Sequence, residues 1–574
     1  MMLLLGAGQA WAGIDVRVKG LGPDERDNVY AQIRILDYAK RVDAGKGEYD
    51  PDEVQRLFDE GEQDIRLSLR PYGWYNPKIT AKLEGQAPDW TATYFVDAGP
   101  QTTITKVDIQ FTGEGADADA LKRARRRLPA RVGERLKHQD YEDTKARLQQ
   151  AAVADGYLDA HFTRHELRVD PDNNTAEALL TLDTGPRYYF GNVDLQQDGR
   201  LDQKMLMRYV TIKPGTPFST QQVLDTQFAL SDLDYFKLVE VEPHKDQAGA
   251  DHHVPVQIRT TSEPPRVYHF GAGYGTDTGP RALAGVEFRR LNEEGHKLRL
   301  ELRPSQNIST AIADYKIPWG TKPGENINFT TQGLQQDFQG INETLYSLGT
   351  GYTRLHDTWQ QHWYLTYTND RYTLPQEPQR TSTLLTPGIS LSRTQADDAI
   401  NPHRGWYAFL DLHGGSTYAL SDTDFVQAHL KLRGIYPLSW RLRLLGRVEE
   451  GVTVVSGFDT LPPSQRFFAG GDDSVRGYSY QSLAPKGSHG ELVGGRYLTT
   501  ASVELDYDLT KRYGIAAFAD AGGADDVPNV RLHEGVGVGF RYRAPFGSIA
   551  VDLAHPLDPG ATPVRLHLGV RVGL

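Results

Sequence analysis

The second half of the chain alternates between polar and apolar residues with a period of two. The alternation is strict in five segments: 296–303, 427–433, 502–508, 537–543 and 563–569. A period of two places Leu298, Leu300 and Leu302 on one face of an extended strand and the charged residues between them on the other. The pattern predicts sixteen strands between residues 265 and 574. They begin near residues 267, 282, 296, 307, 325, 344, 359, 381, 406, 424, 440, 496, 512, 535, 547 and 563.

The first 264 residues follow a different pattern, in which one small unit recurs. Asp97-Ala98-Gly99-Pro100 returns 86 residues later (183 − 97) as Asp183-Thr184-Gly185-Pro186. Each copy reads as a short strand, two helical segments of which the second is amphipathic, and two further strands. The repeat therefore predicts three α+β modules of the β-α-α-β-β type in series, at residues 13–100, 101–187 and 188–264.

Each module ends its second helix with the same signal. Gly73-Trp74-Tyr75, Gly156-Tyr157-Leu158 and Asp234-Tyr235-Phe236 each place a Gly or Asp before an aromatic residue, which predicts a helix stop followed by a strand. The resulting three-stranded sheet has an open edge, whose N–H and C=O groups can pair with an extended partner strand. The alternative is that the modules serve only as rigid spacers.

The composition disfavours or excludes several kinds of partner and site. The 574 residues include 63 Lys and Arg, 75 Asp and Glu and no Cys, which gives a formal net charge of −12. This balance disfavours nucleic acid as a partner, and the lack of Cys excludes disulfides and thiolate sites. Mean hydropathy is −0.52, and after the first dozen residues no apolar run reaches the roughly 18 residues of a spanning helix.

These facts together predict an all-β, sixteen-stranded antiparallel transmembrane barrel over residues 265–574. In such a barrel the apolar face of each strand meets the lipid bilayer and the polar face lines a water-filled lumen. Trp359, Trp363 and Trp406 fall near predicted strand ends, where interfacial aromatic girdles belong. The alternative is a pair of soluble β-sandwiches.

The first twelve residues predict export. A short apolar stretch, Met1 to Gly8, is followed by Ala10-Trp11-Ala12, a small-x-small cleavage pattern that would leave Gly13 as the first mature residue. No basic residue precedes the apolar stretch, so we expect this signal peptide to be truncated. A frayed N-terminus is the alternative.

One connection in the barrel half is unusually long. Residues 456–495 lack strand alternation, and a loop of this length inside a compact domain is usually functional. The loop contains Val475-Arg476-Gly477-Tyr478. Two strands later, Phe518, Asp520 and Gly522 share one face of a strand.

These motifs resemble those of the BamA-like superfamily of outer-membrane assembly proteins. Residues 475–478 are similar to its VRGY/F signature in the sixth extracellular loop, and residues 518–522 to its FxDxG strand motif. The repeated modules resemble that superfamily's periplasmic POTRA domains. Three modules, the chain length and the barrel opening at 271–280 resemble the TamA family, the outer-membrane subunits of the translocation and assembly module.

The resemblance implies a location, partners and clients. The barrel would lie in the outer membrane of a Gram-negative cell, with the POTRA modules in the periplasm. The implied partner is TamB, an inner-membrane-anchored protein that spans the periplasm. The implied clients are autotransporters and other β-barrel proteins.

The long connection is expected to fold into the lumen as a lid loop. A buried Arg476 needs an acidic partner, and an inward Asp520 is a suitable bidentate acceptor. Gly477 permits a tight turn, and Tyr478 is expected to pack against the wall. The contacts expected to hold the lid loop in the lumen therefore involve Val475, Arg476, Gly477 and Tyr478 of the loop with Phe518, Asp520 and Gly522 of the strand. An exposed turn with a solvated Arg is the alternative.

The first and last strands carry further predicted sites. Glycines contribute no side-chain packing in a strand, so we expect a weak lateral seam where these two strands pair. Its glycines are Gly271, Gly273, Gly275, Gly569 and Gly573. The chain end resembles the superfamily's β-signal for assembly, with Leu574 where most members have Phe. Its residues are His567, Gly569, Val572 and Leu574.

Enzymatic chemistry has little support in the sequence. The glycines at 271–275 resemble part of a dinucleotide loop, but no helix follows them. His252-His253 lacks metal-ligand spacing, and Asp472-Asp473 is better explained as a solvated turn than as a cation site. We therefore expect no catalytic residue, cofactor or metal. Three functions stay open: an insertase for outer-membrane proteins, a two-partner secretion pore, and a passive porin or barrel enzyme.

Overall fold

A computed structural model describes residues 13–44, 46–356, 358–545, 547–560, 564–571 and 573. The predicted signal peptide, residues 1–12, lies outside this part, as do Val572 and Leu574 of the predicted β-signal. Within the described ranges, no helix combines the length and the apolar character needed to cross a membrane.

The first module differs from its prediction because it contains three helices. Its elements are β1 (Ile14–Lys19), α1 (Pro23–Gln32), α2 (Arg34–Asp43), α3 (Pro51–Leu69), β2 (Lys78–Gln86) and β3 (Asp89–Asp97). The backbone of Ile33 is extended, which separates α1 from α2. Asp64 of α3 accepts the N–H of Arg34 at 3.1 Å, so α3 stabilises the start of α2. The sheet has the order β1-β3-β2.

The second and third modules have the predicted β-α-α-β-β order. The second has β4 (Thr103–Thr112), α4 (Asp119–Arg125), α5 (His138–Ala154), β5 (His161–Asp170) and β6 (Thr175–Asp183). The third has β7 (Tyr189–Gln197), α6 (Gln203–Met207), α7 (Thr220–Ser231), β8 (Phe236–Pro243) and β9 (His253–Ser262). Their sheets have the orders β4-β6-β5 and β7-β9-β8, so the last strand is central in every module.

The repeated helix-stop signal has a structural cause. Gly73, Gly156 and Asp234 all have left-handed backbone conformations, with φ of 81°, 96° and 62°. A left-handed residue after a helix ends it and redirects the chain. Trp74, Tyr157 and Tyr235 come next in the sequence, and the chain then enters the second strand of each module.

The described chain forms two compact units. One comprises the residues up to Asp194 together with Ile212–Asp225 and Val241–Ile258, and the other comprises Leu195–Thr211, Thr226–Glu240 and the chain from Arg259 onward. The division therefore runs through the third module.

Sixteen antiparallel strands form the predicted barrel sheet in sequence order. Every strand starts within three positions of its prediction. The strands are β10 (Arg266–Gly275), β11 (Gly279–Phe288), β12 (Lys297–Arg303), β13 (Ile308–Pro318), β14 (Asn326–Phe338), β15 (Ile341–His356), β16 (Trp359–Thr373), β17 (Arg380–Ala396), β18 (Gly405–Gly415), β19 (Phe425–Pro437), β20 (Leu442–Val455), β21 (Tyr497–Asp508), β22 (Tyr513–Asp525), β23 (His533–Ala544), β24 (Gly547–Pro556) and β25 (Arg565–Arg571).

The two faces of the barrel wall are inverted relative to a soluble protein. On β21, the apolar Val503 is 55% exposed, whereas the charged Glu504 is 3% exposed. The same inversion recurs on β23, where Val538 is exposed and Arg541 is buried. Apolar side chains that point outward in this way require lipid, and they rule out the soluble-sandwich alternative.

A charge on the lipid face should destabilise the barrel. We expect Val538→Arg to lower the free energy of unfolding in lipid vesicles by about 2–4 kcal/mol, because the side chain lies near the middle of β23. Val527→Arg is the matched control, since exposed Val527 lies in the connection after β22. Denaturant unfolding of both variants checks this, and equal losses would mean that Val538 does not face hydrocarbon.

Candidate functional site

The connection between β20 and β21, residues 456–496, folds back on itself and contributes a buried core; we call it the lid loop. Isolated bridges join Phe467 to Gly495 and Ala469 to Leu483. Phe467, Ala469 and Val475 pack in an apolar cluster with Leu498 of β21 and Ala524 of β22. Apolar burial therefore holds the loop against the inner wall.

Arg476 of the lid loop lies in a ring of carboxylates and is 1% exposed. Its Nε and Nη2 donate to Asp520 Oδ2 and Oδ1 at 2.7 and 2.9 Å, which is the predicted bidentate pair. Nη1 donates to Glu504 Oε2 at 2.8 Å and to Asp552 Oδ2 at 2.9 Å. The backbone N–H of Arg476 also donates to Asp520 Oδ2, at 3.0 Å. The alternative of a solvated surface arginine is excluded.

Two of these carboxylates, Glu504 and Asp552, were not predicted from the sequence. Glu504 lies on β21 and Asp552 on β24, each at a position that faces the lumen. The available signal was their place on the polar face of the period-two pattern, which they share with many residues that line the lumen. Only the fold brings them to Arg476.

The ring of charges is balanced by further arginines. Arg541 of β23 donates to Glu504 Oε1 at 2.7 Å and also pairs with Asp552. Arg447 of β20 lies 3.6 Å from Asp520. Three carboxylates thus face three guanidinium groups in a site sheltered from water. Burial alone would lower the pKa of Arg476, but the hydrogen bond and charge of Asp520, with the charges of Glu504 and Asp552, raise that pKa above its usual value.

The FxDxG strand motif contributes a different contact at each of its three positions. The ring of Phe518 stacks on the Arg476 guanidinium, with Cζ 3.3 Å from the ring centroid, in cation–π geometry. Asp520 accepts the two hydrogen bonds described above. A Cβ at Gly522 would lie 2.7 Å from the carbonyl oxygen of Thr499, so this position has no room for a side chain.

Gly477 and Tyr478 complete the tip of the lid loop. Gly477 has φ of 100°, a conformation that favours glycine. Its N–H donates to Nε2 of His567 on β25 at 2.9 Å. The Tyr478 hydroxyl donates to the carbonyl of Glu534 at 3.2 Å, and its ring meets His533 edge-on. Tyr478 therefore contacts the wall as predicted.

The lid loop has a second attachment, on strands far from β22. Ser464 donates its N–H to Glu343 of β15 at 2.8 Å and its hydroxyl to Asp370 of β16 at 2.6 Å. Arg466 donates to the carbonyls of Leu461 and Val493 at 2.8 Å, which joins the two arms of the loop. The sequence did not reveal these contacts. The loop thus bridges two separate parts of the inner wall.

The predicted seam differs from the other strand junctions. Regular ladders join every consecutive pair from β10 to β25. Between β10 and β25, by contrast, the described residues show no ladder. Thr276, directly after β10, donates its N–H to the Leu568 carbonyl at 3.4 Å and accepts the Leu568 N–H at its hydroxyl at 3.2 Å. The prediction that these strands pair to close the barrel was therefore too strong.

The seam glycines occupy different environments. Gly271 and Gly273 are exposed, and Gly275 is buried beside Leu568. An antiparallel register through Thr276 and Leu568 places Gly569 opposite Gly275. Gly573 leaves the seam, because its φ of 69° turns the backbone and its N–H donates to the carbonyl of Ile400 at 2.9 Å. Its assignment to the seam is corrected accordingly.

Models of known protein families match segments in both halves of the chain. Residues 291–569 match the Omp85 superfamily domain, which spans the lid loop and its carboxylates. Residues 15–98 match the POTRA domain named TamA domain 1, and residues 188–261 match a POTRA model described as a surface antigen variable number repeat. The chain therefore carries an Omp85 superfamily domain, preceded by modules that match POTRA domains. Its barrel is an outer-membrane barrel, and its N-terminal POTRA modules lie in the periplasm.

Individual relatives agree with this assignment. The outer membrane protein assembly factor BamA of Nitratidesulfovibrio vulgaris is 21% identical over 85% of this chain and 64% of its own length. The factor of the same name from Neisseria meningitidis is 21% identical over 64% of this chain and 51% of its own length. The chain thus spans less than two thirds of these relatives. The crystal structure of Haemophilus ducreyi BamA lacking POTRA domains 1–3 has 16% identity and a TM-score of 0.65, and the alignment covers 82% of this chain and 99% of that one.

Loss of one carboxylate should release the lid loop. We expect Asp520→Ala to expose the bond after Arg476 to trypsin, because removing one partner of a buried ion pair costs about 3–5 kcal/mol. Mass spectrometry of tryptic fragments from the folded chain in micelles measures the cleavage.

The neighbouring variant Asp473→Ala serves as the control. The Asp473 side chain is 87% exposed, so its loss should leave the bond after Arg476 protected. Cleavage at that bond in the unmodified chain, as fast as in Asp520→Ala, would mean that the ion pairs do not hold the lid loop.

Proposed function

We propose that this chain is a non-enzymatic assembly factor that inserts β-barrel proteins into the outer membrane. Its clients would be autotransporters and other outer-membrane barrels, which it would also help to translocate. In this proposal a client strand enters through the lateral seam between β10 and β25. The BamA relatives support the general role, since their names describe assembly of outer membrane proteins.

The seam is the observation that carries the proposal. β10 has nearly all of its residues exposed, and its pairing with β11 occupies only one edge. Among the described residues the other edge has no ladder partner, so its N–H and C=O groups form a template for an added strand. In hydrocarbon, every such group must find a partner. A client strand that pairs with β10 would therefore be stabilised where it meets the bilayer.

The lid loop is consistent with lateral insertion rather than a permanently open pore. Its tip and its second attachment place buried ion pairs and hydrogen bonds inside the lumen. A client that used the lumen would have to displace them. The seam offers a route that does not pass through the lumen.

A disulfide across the seam tests the insertion route. Because the chain has no Cys, Gly275→Cys with Gly569→Cys would introduce one defined bond. We expect the oxidised variant in liposomes to lose insertion of a β-barrel client and the reduced variant to regain it.

A disulfide inside an existing ladder is the matched control. Gly271 and Leu283 face each other in the β10–β11 pair, and a Cβ built on Gly271 lies 3.4 Å from that of Leu283. Gly271→Cys with Leu283→Cys should leave insertion unchanged. Full insertion with the oxidised seam would contradict the seam as the insertion route.

We further propose that TamB is the periplasmic partner and binds through the POTRA modules. The match of the first module to a TamA-type POTRA domain supports this. In that module β1 and β2 are the edge strands of the sheet, on either side of β3, so both can accept an extended segment.

Photocrosslinking in cells tests the partner. A photoreactive residue in place of exposed Lys78, at the start of β2, should crosslink to TamB, because an added strand would lie beside it. The same residue in place of Asp27, exposed on α1, should give little product. Equal crosslinking from both positions, or none from Lys78, would argue against strand addition at this edge.

A further inference from the structure

Three segments meet at the lid-loop end of the seam. They are the turn after β10, with Thr276 and Asp277, the lid loop at Asp472, and β25 at His567 and Leu568. In the part of the chain that the structure describes, two hydrogen bonds join Thr276, directly after β10, to Leu568 of β25. The N–H of Thr276 donates to the Leu568 carbonyl at 3.4 Å, and its hydroxyl accepts the Leu568 N–H at 3.2 Å.

Asp472 of the lid loop binds both sides of this junction. On the β10 side, the Thr276 hydroxyl donates to both carboxylate oxygens of Asp472 at 3.1 Å. The backbone N–H of Asp472 also donates to Asp277 Oδ2 at 2.9 Å. On the β25 side, the Asp472 carboxylate pairs with Nδ1 of His567. A single lid-loop residue thus connects the two edges.

The hydrogen bonds of His567 determine which of its ring nitrogens carries the hydrogen. Its Nε2 accepts the Gly477 N–H, so that nitrogen carries the lone pair. In a neutral ring Nδ1 then carries the hydrogen and donates it to Asp472. Both ring nitrogens are therefore bound to lid-loop residues, and the side chain is 2% exposed.

The same hydrogen bonds argue against a metal ion in this place. Donor atoms of Asp277, Asp472 and His567 all lie within 4.8 Å of one another. A metal bound at Nδ1 would move the ring hydrogen to Nε2, where it would oppose the Gly477 N–H. The donor set thus fits a hydrogen-bonded junction better than a cation site.

We propose that the lid loop holds the lateral seam closed, because Asp472 joins the turn after β10 to His567 of β25. We call this set of contacts the clasp. Withdrawal of the lid loop from this end would leave the two hydrogen bonds at Thr276 as the direct link between the described residues of the two edges. The clasp also gives His567, a residue of the predicted β-signal, a role in the folded barrel. The inference rests on the proposed function only in treating seam opening as useful.

Spin labels on either side of the seam can measure its opening without any client. The labels are attached at Gln306→Cys and Pro559→Cys. Gln306 lies in the connection after β12, and Pro559 lies in the connection after β24. Both positions are exposed and belong to the same end of the barrel as the lid loop. Electron–electron double resonance on the labelled full chain in nanodiscs gives the distance distribution between them.

The clasp predicts a longer distance when Asp472 is altered. We expect Asp472→Ala and His567→Phe to raise the long-distance population about ten-fold, equivalent to about 1.4 kcal/mol. Asp472→Asn keeps the size of the side chain and removes its charge, so it should act in the same direction if the alanine variant folds poorly. Asp473→Ala, the neighbouring control, should leave the distribution as it is.

A second test loosens the lid loop at a site away from Asp472, in the same distance measurement. Asp520→Ala removes the main partner of Arg476 but leaves Asp472, Thr276 and His567 intact, and a clasp predicts that it also widens the seam. Distributions that stay unchanged in Asp472→Ala and His567→Phe would overturn the clasp. The proposed function would still stand if the oxidised seam disulfide blocked insertion.

Discussion

The buried guanidinium of Arg476 is the interaction on which the lid loop depends. A charge this far from water is tolerated only when it is paired and fully hydrogen-bonded. Asp520, Glu504 and Asp552 meet that requirement from three different strands, β22, β21 and β24. The loop tip is therefore positioned by the wall itself. Because the carboxylates need Arg476 as much as it needs them, the lumen and the lid loop form one electrostatic unit.

The bilayer imposes a second constraint, on the backbone. Lipid cannot satisfy N–H and C=O groups, so a barrel wall must pair them along its whole circumference. Fifteen of the sixteen junctions here are ladders, and the sixteenth, between β10 and β25, has a short contact at one end in the part of the chain that the structure describes. The proposed insertion route uses this junction. The lid loop touches both of its edges, through Thr276 and His567, which connects the two constraints.

The alternating pattern predicted the barrel well because a side-chain period of two survives in every spanning strand. The pair of Arg476 and Asp520 was also predictable, since both lie in recognisable motifs. The third helix of the first module was not, because Ile33 separates α1 from α2 without a Gly or Pro. Glu504, Asp552 and the contact between Asp472 and His567 depend on strand register and loop path. Those are set by tertiary packing, which leaves no local mark on the sequence.

Hydrogen–deuterium exchange of the full chain in lipid nanodiscs tests most directly whether the ion pairs hold the lid loop in the lumen. The backbone N–H groups of Arg476 and Gly477 donate to Asp520 and to His567. If the ion pairs hold the lid loop, peptides covering these two residues exchange as slowly as the neighbouring barrel strands. Exchange as fast as that of an exposed connection would contradict that role of the ion pairs.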